Sequence, residues 1–249
     1  MVDLLKSMIV WLLAVLLITV FFPVTFIIWL LVLPFDKDRK IIHRLLIYQG
    51  CFLTRAVPLW NIRIEGRKKA VKGKTYVIIS NHQSILDILF LNCLGYNFKW
   101  ISKIENTKVP VLGWYLRMAD YITVDRGNRE SKEKMLEKSF QCLRKGISIM
   151  IFPEGTRSAD GNVGFFKRGA FELAIKAHIP LLPVVIDGTG GILPKHSLIF
   201  KNGHNIRIRV MDPVEPESFG TENPDILASE FQGKITEALI ETRIEKPVQ

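Results

Sequence analysis

The sequence predicts an α/β fold, a mixed and mostly parallel sheet flanked by helices, behind an N-terminal hydrophobic membrane helix or two-helix motif. Three observations predict it. From Asn61 onward, apolar runs of strand length alternate with longer helical patterns, as in chains whose strands are joined by crossover helices. The 28 residues from Met8 to Phe35 contain no charged side chain. Two polar clusters, at Asn81–Asp87 and Phe152–Arg157, each follow directly on an apolar run, the place where open α/β sheets build their sites.

The first element is the apolar stretch. A straight helix of that length runs about 42 Å, longer than the roughly 30 Å hydrocarbon core. It is too long for a signal-peptide core, and no small-residue cleavage site follows it. Pro23 near its middle has no amide to donate, so the stretch reads as one kinked span or as a re-entrant pair of helices. Lys37, Arg39, Lys40 and Arg44 follow it and only Lys6 precedes it. This asymmetry places the large domain on the cytoplasmic face, at the inner membrane if the chain is bacterial. Ile41–Val57 mixes apolar residues with Arg44 and Arg55 and reads as an amphipathic helix at the interface or as a core-packed one. The composition changes at Leu33–Lys40. With the amphipathic segment included, residues 1–57 form the membrane-embedded and interfacial element and 58–249 the α/β domain.

Within that domain the apolar runs predict strands at Asn61–Glu65, Tyr76–Ser80, Lys99–Lys103, Tyr121–Val124, Ile147–Phe152, Leu181–Asp187 and Asn205–Met211. Helical spacing predicts helices at Ile85–Leu94, Glu130–Arg144, Phe166–Ala177 and Asp225–Arg243. Gly188–Gly191 reads as a turn, and the sequence shows no internal repeat.

The 249 residues are 48% hydrophobic and carry a formal charge of +10, with a pI near 9.6. A basic surface suits nucleic acid, an anionic membrane or anionic small molecules. Without a zinc finger, an RNP-like aromatic motif or a long basic run, nucleic acid is not an expected partner. Cys51, Cys93 and Cys142 are widely spaced with no C-x-x-C, which reads as three thiols in a reducing compartment. The five histidines form no H-E-x-x-H pattern, so no metal is expected.

His82 and Asp87 are the candidate base and its orienting carboxylate. Five residues of helix turn the direction by roughly 500°, so the two face each other only if His82 precedes or opens the helix. Ser84 or Asn81 would then cap it. A carboxylate on one imidazole nitrogen fixes the tautomer and leaves the other free to take a proton. G-x-S-x-G is absent, which argues against an α/β-hydrolase and suits a reaction in which the substrate's own hydroxyl attacks. In the second cluster, Gly155 permits close approach of backbone to ligand, its amide offers a donor to an oxyanion, and Arg157 offers a bidentate phosphate grip. Arg126 and Arg129 follow one predicted strand and Lys103 ends another.

These blocks, in this order, resemble the glycerolipid acyltransferases of the PlsC type. Asn81-His82 through Asp87 matches the His-x4-Asp block. Val124-Asp125-Arg126 with Arg129 matches F-I-D-R-x-x-R, with Thr123 in place of phenylalanine. Phe152–Arg157 matches the third block in full, and Phe166-Lys167-Arg168-Gly169 follows as in the family. Ile179–Val184 matches the fourth. The resemblance covers roughly Trp60 to Met211.

The resemblance implies the glycerolipid acyltransferase fold and 1-acyl-sn-glycerol-3-phosphate acyltransferase activity. His82, oriented by Asp87, would deprotonate the sn-2 hydroxyl of lysophosphatidic acid. The oxygen would attack the thioester of acyl-CoA or acyl carrier protein, giving phosphatidic acid. Gly155 and Lys103 would stabilise the oxyanion. Arg126, Thr156 and Arg157 would hold the glycerol phosphate, with Glu154 positioning the glycerol. The fourth block would shape the acyl region. No cofactor beyond the acyl thioester is implied, and the bilayer supplies the acceptor. The competing readings are acylation of another lysolipid, hydrolysis by the same dyad, and a non-catalytic membrane lipid-binding protein.

Overall fold

The computed structural model describes residues 2–57, 60–195, 197–201 and 204–244. Helix α1 (Val2–Val32) continues unbroken through Pro23. Its Asp3–Val32 segment is long and apolar enough to cross a membrane, with almost none of it buried against the rest of the chain. Asp36 then accepts hydrogen bonds from the amides of Lys40, Ile41 and Ile42. It thereby caps helix α2 (Lys40–Ala56), which runs back along α1. Gln49 of α2 donates to Thr25 of α1 at 2.7 Å, and Phe52 meets Phe21 with ring centroids 5.7 Å apart.

This second helix packs one face on the rest of the chain and leaves apolar residues of the other exposed. Ile42, Ile47, Gln49, Gly50 and Thr54 are buried, while Ile41, Tyr48 and Phe52 are exposed. Residue 58, the expected start of the α/β domain, lies outside the described residues.

The sheet comprises β1 (Trp60–Glu65), β2 (Val77–Ser80), β3 (Phe98–Lys103), β4 (Ile122–Val124), β5 (Ser148–Ile151), β6 (Leu181–Asp187) and β7 (His204–Val210). Their spatial order is β1-β7-β6-β2-β5-β3-β4. Five of them, β6, β2, β5, β3 and β4, run parallel. The reversal comes between β6 and β7, and β1 runs with β7.

The remaining helices are α3 (Asp87–Asn92), α4 (Leu112–Met118), α5 (Arg129–Arg144), α6 (Gly169–Ala177), α7 (Thr189–Ile192) and α8 (Pro224–Ile244). Alternate residues of the central strands feed two cores, as period-two geometry requires. Val77, Ile79, Ile149 and Val185 meet Phe171 and Phe231 of α6 and α8. Ile78, Met150, Val184 and Ile186 meet Phe90 and Leu91 of α3, with Val10 and Ile47 of α1 and α2 behind them. α4 packs through Met118 and Tyr115 against Phe22 and Phe26 of α1.

Three sequence expectations are corrected. The helix expected at Ile85–Leu94 shrinks to Asp87–Asn92, because the chain before Asp87 is spent on a loop. A helical turn, α7, follows Gly188 where only a turn was expected. The three expected thiols become a disulfide between Cys51 and Cys93 and one buried thiol, Cys142. The cause is close packing of α2 on α3: a Cβ at Gly50 would sit 2.8 Å from Asn92 Nδ2, and the two cysteine Cα atoms are 5.0 Å apart, within disulfide reach.

Candidate active site

The carboxyl ends of the five parallel strands lie along one edge, and every sequence-predicted site residue sits on it. His82 and Asp87 follow β2, Lys103 ends β3, Arg126 follows β4, and Glu154, Gly155, Thr156 and Arg157 follow β5.

His82 lies in the loop before α3, and Asp87 is the first residue of that helix. The loop folds back so that Asp87 Oδ2 accepts from His82 Nδ1 at 2.7 Å, from the Gln83 amide at 2.7 Å and from the Ser84 amide at 2.9 Å. Asp87 therefore caps its own loop, the role expected of Ser84 or Asn81. The Ser84 hydroxyl shares in this, accepting from the Leu86 amide at 3.4 Å while it donates to the Leu193 carbonyl at 2.9 Å. Asn81 clasps the backbone of Ile186 through both its amide atoms, tying β2 to β6. The Thr189 hydroxyl donates to the other oxygen, Asp87 Oδ1. A carboxylate only accepts, so Nδ1 carries the imidazole proton and Nε2 presents a lone pair. Asp87 is fully buried, whereas the His82 side chain is 15% exposed.

Two further contacts hold the imidazole. Its ring stacks on Phe152 with centroids 3.9 Å apart and planes 8° from parallel, and Trp100 stacks behind Phe152. Its peptide group is gripped by the β5 turn: the His82 amide donates to Glu154 Oε1 at 2.8 Å, and its carbonyl accepts from the Ser158 amide at 2.8 Å. Glu154 Oε2 accepts from the Gly164 amide at 3.0 Å. Both oxygens of Glu154 thus serve backbone amides. Burial raises its pKa, and those amides oppose the shift.

Gly155 takes a φ of +70° in this turn, and its amide donates to the Phe152 carbonyl at 3.0 Å. Its own carbonyl accepts from the Arg126 guanidinium. Burial lowers the Arg126 pKa, opposed by the charge of Glu105. Lys103 is exposed and pairs with Glu105 at 2.7 Å. Arg129 points outward to Glu133.

Sequence reasoning missed two cations here. A Cβ built on Gly155 would lie 3.1 Å from Lys167 Nζ, so that ammonium covers the glycine. Lys195 Nζ donates to the Arg157 carbonyl at 3.1 Å and to Thr156 Oγ1 at 3.4 Å. Among the described residues, the Arg157 guanidinium has no hydrogen bond or ion pair. Sequence reasoning also missed Thr189 and Gln83, whose side-chain amide donates to Asp187 Oδ1 at 3.1 Å and to the Gly161 carbonyl at 3.2 Å. Lys167 stood in a quoted block, and Thr189 lies two residues past β6, the strand beside β2; both signals were in the sequence. Lys195 had none, because only the topology brings it to this turn. The fourth block leads into β6, which is buried from Leu181 to Ile186.

A carboxylate-oriented imidazole set beside the cations Arg126, Arg157, Lys167 and Lys195 at the carboxyl edge of a mixed sheet can take a proton next to a bound anion. The chain belongs to the acyltransferase family, whose model, described as Acyltransferase, matches residues 61–187. It is 35% identical over 209 residues to the chloroplastic 1-acyl-sn-glycerol-3-phosphate acyltransferase LPAT1 of Arabidopsis thaliana, covering 84% of this chain and 57% of that protein. It is 33% identical over 165 residues to the 1-acyl-sn-glycerol-3-phosphate acyltransferase of Pseudomonas aeruginosa, covering 66% and 63%. The crystal structure of the 1-acyl-sn-glycerophosphate acyltransferase PlsC from Thermotoga maritima superposes with a TM-score of 0.81 at 24% identity, covering 98% of this chain and 97% of that one. At that identity the likeness is one of fold. The chain spans 49–59% of the length of the three plant and algal relatives it matches.

Proposed function

We propose that this chain transfers a fatty acyl group from an acyl thioester to the sn-2 hydroxyl of lysophosphatidic acid, giving phosphatidic acid for phospholipid biosynthesis. The observation that carries the reading is the dyad without a nucleophile of its own. Among the described residues, no serine, threonine or cysteine side chain hydrogen-bonds to His82. A base so placed activates a hydroxyl brought by the substrate.

His82 Nε2 takes the proton of the acceptor hydroxyl as its oxygen attacks the thioester carbonyl. The resulting imidazolium is stabilised by Asp87. Collapse of the tetrahedral intermediate expels the thiolate, which takes that proton back from His82, so ester and free thiol leave and the enzyme is restored. The thioester carries its own activation, so the step needs no further cofactor. Acyl-CoA and acyl carrier protein are both anionic and both fit the basic surface.

Arg126, Thr156 and Arg157 form the phosphate side of the site, and Glu154 orders the His82 loop. For Gly155 or Lys103 to face the oxyanion, each must leave its present partner, the Phe152 carbonyl or Glu105. The apolar α1 supports residence at a membrane, where the acceptor lies, and the cations that follow α1 favour the cytoplasmic face for the α/β domain.

The test is product analysis with the full chain in detergent micelles, a long-chain acyl-CoA and 1-acyl-glycerol-3-phosphate. Phosphatidate and stoichiometric free thiol support the reading. Free fatty acid in place of phosphatidate would make the chain a hydrolase. Transfer only to lysolipids with larger head groups would move the substrate.

A further inference from the structure

We infer that Lys195 is a specificity-determining residue of this site, binding the phosphate monoester of the acceptor alongside Arg157 on a loop that receives the lipid from the bilayer beside α1. This rests on the functional reading above and deepens it.

The first ground is the position of the ammonium. Lys195 Nζ rests on the turn that carries Arg157, bonded to that residue's carbonyl and, at the longer 3.4 Å, to Thr156. An ammonium has three donors, and among the described residues the third has no partner. No carboxylate pairs with Lys195, Lys167 or Arg157 among those residues, whereas Lys103 close by is matched by Glu105. Cations left without acids on one turn make a field that draws an anion. A planar guanidinium with a point-charge ammonium beside it suits a phosphate monoester, which offers three terminal oxygens.

The second ground is what the loop is tied to. At one end, the Leu193 carbonyl accepts from Ser84, in the same loop as His82. At the other, the Phe200 amide donates to Ser7 Oγ of α1 at 2.8 Å, and the Trp11 indole donates to the Leu198 carbonyl at 2.9 Å. The Trp11 and Phe200 rings lie 5.3 Å apart. Between these ties, Leu198 is 72% exposed and Ile199 45%, next to an α1 whose Met8 and Leu12 are also exposed. Leu198 is three positions past Lys195, a reach of about 10 Å at most. One short segment therefore joins an apolar lip beside the membrane helix to the Lys195 ammonium on the Arg157 turn. That suits a molecule with its chain in the bilayer and its phosphate at the site.

The test compares wild type, Lys195→Met and Lys195→Arg as full chains in mixed micelles, with KM measured separately for lysophosphatidate and acyl-CoA. Lys195→Met is expected to raise the lysophosphatidate KM by roughly tenfold or more, to leave the acyl-CoA KM within about twofold, and to be largely restored by Lys195→Arg. An unchanged acceptor KM, a raised acyl-CoA KM alone, or loss of turnover that arginine does not restore would overturn the assignment. If the wild type makes no phosphatidate, the functional reading itself fails, and the variants are not needed to show it. A second pair of measurements addresses the lip. Leu198→Ser is expected to raise the KM of a long-chain lysophosphatidate in vesicles and to leave that of a water-soluble hexanoyl one unchanged. An equal rise in both would overturn reception from the bilayer.

Discussion

His82 and His43 both lie against aromatic rings and both hydrogen-bond through Nδ1, yet their surroundings make them opposites. His43 Nδ1 meets the Tyr121 hydroxyl at 2.8 Å, and its Nε2 accepts from the Phe98 amide at 3.3 Å. Both nitrogens are occupied, the residue is 1% exposed, and burial, aided by the Lys99 charge, lowers its pKa to about 3. Lys99, buried in turn, is lowered to about 8. His43 is a strut that ties α2 to the starts of β3 and β4. His82 has a carboxylate on Nδ1 and, among the described residues, no partner on Nε2. Burial with a neutral partner silences a histidine; a buried carboxylate behind it and an open nitrogen in front make it a base.

The largest effect expected from this contrast is on turnover. His82→Ala should lower kcat by about 10²–10⁴-fold while leaving thermal stability and membrane association near wild type. His43→Ala should do the reverse. It leaves a cavity and orphans the Phe98 amide and Tyr121 hydroxyl, a loss of about 2–4 kcal/mol in denaturant titration, with activity per folded molecule retained. Next, Arg157→Ala should raise the lysophosphatidate KM by roughly 10–100-fold, with acyl-CoA binding little changed; an equal loss of both would make Arg157 structural.

The third effect is on acid stability. The folded pKa of His43 is depressed from 6.5 to about 3, so the stability it contributes is complete above pH 6.5 and is lost as pH falls toward 3. Between pH 7 and pH 5 the loss should be about 2 kcal/mol, and His43→Gln should flatten that part of the profile. The smallest effect is at Thr189. Thr189→Val removes one hydrogen bond from Asp87 and should lower kcat by about tenfold with both KM values unchanged, and Thr189→Ser should recover most of it.

The contrast also marks what was legible from sequence. His82 and Asp87 were readable because their chemistry and spacing are local. The sheet was readable because its buried strands, such as Val77–Ser80, are continuous apolar runs. His43 passed unremarked in an amphipathic segment, since its partners Phe98 and Tyr121 lie 55 and 78 residues away. The Cys51–Cys93 disulfide and the Lys195–Arg157 contact were hidden for the same reason: separations of 42 and 38 residues close only through strand order and helix packing. The roles that the resemblance implied for Glu154 and Gly155 met a local fact that spacing does not carry: the Glu154 oxygens and the Gly155 amide are already bonded to backbone.

The most direct test of the central claim is the single-turnover rate of acyl transfer from a long-chain acyl-CoA to 1-acyl-glycerol-3-phosphate, measured for wild type, His82→Ala and His43→Gln as folded full chains. The account predicts phosphatidate from wild type and His43→Gln at similar rates and a fall of at least about 10²-fold in His82→Ala. Transfer by His82→Ala at the wild-type rate would contradict it and would place the base elsewhere.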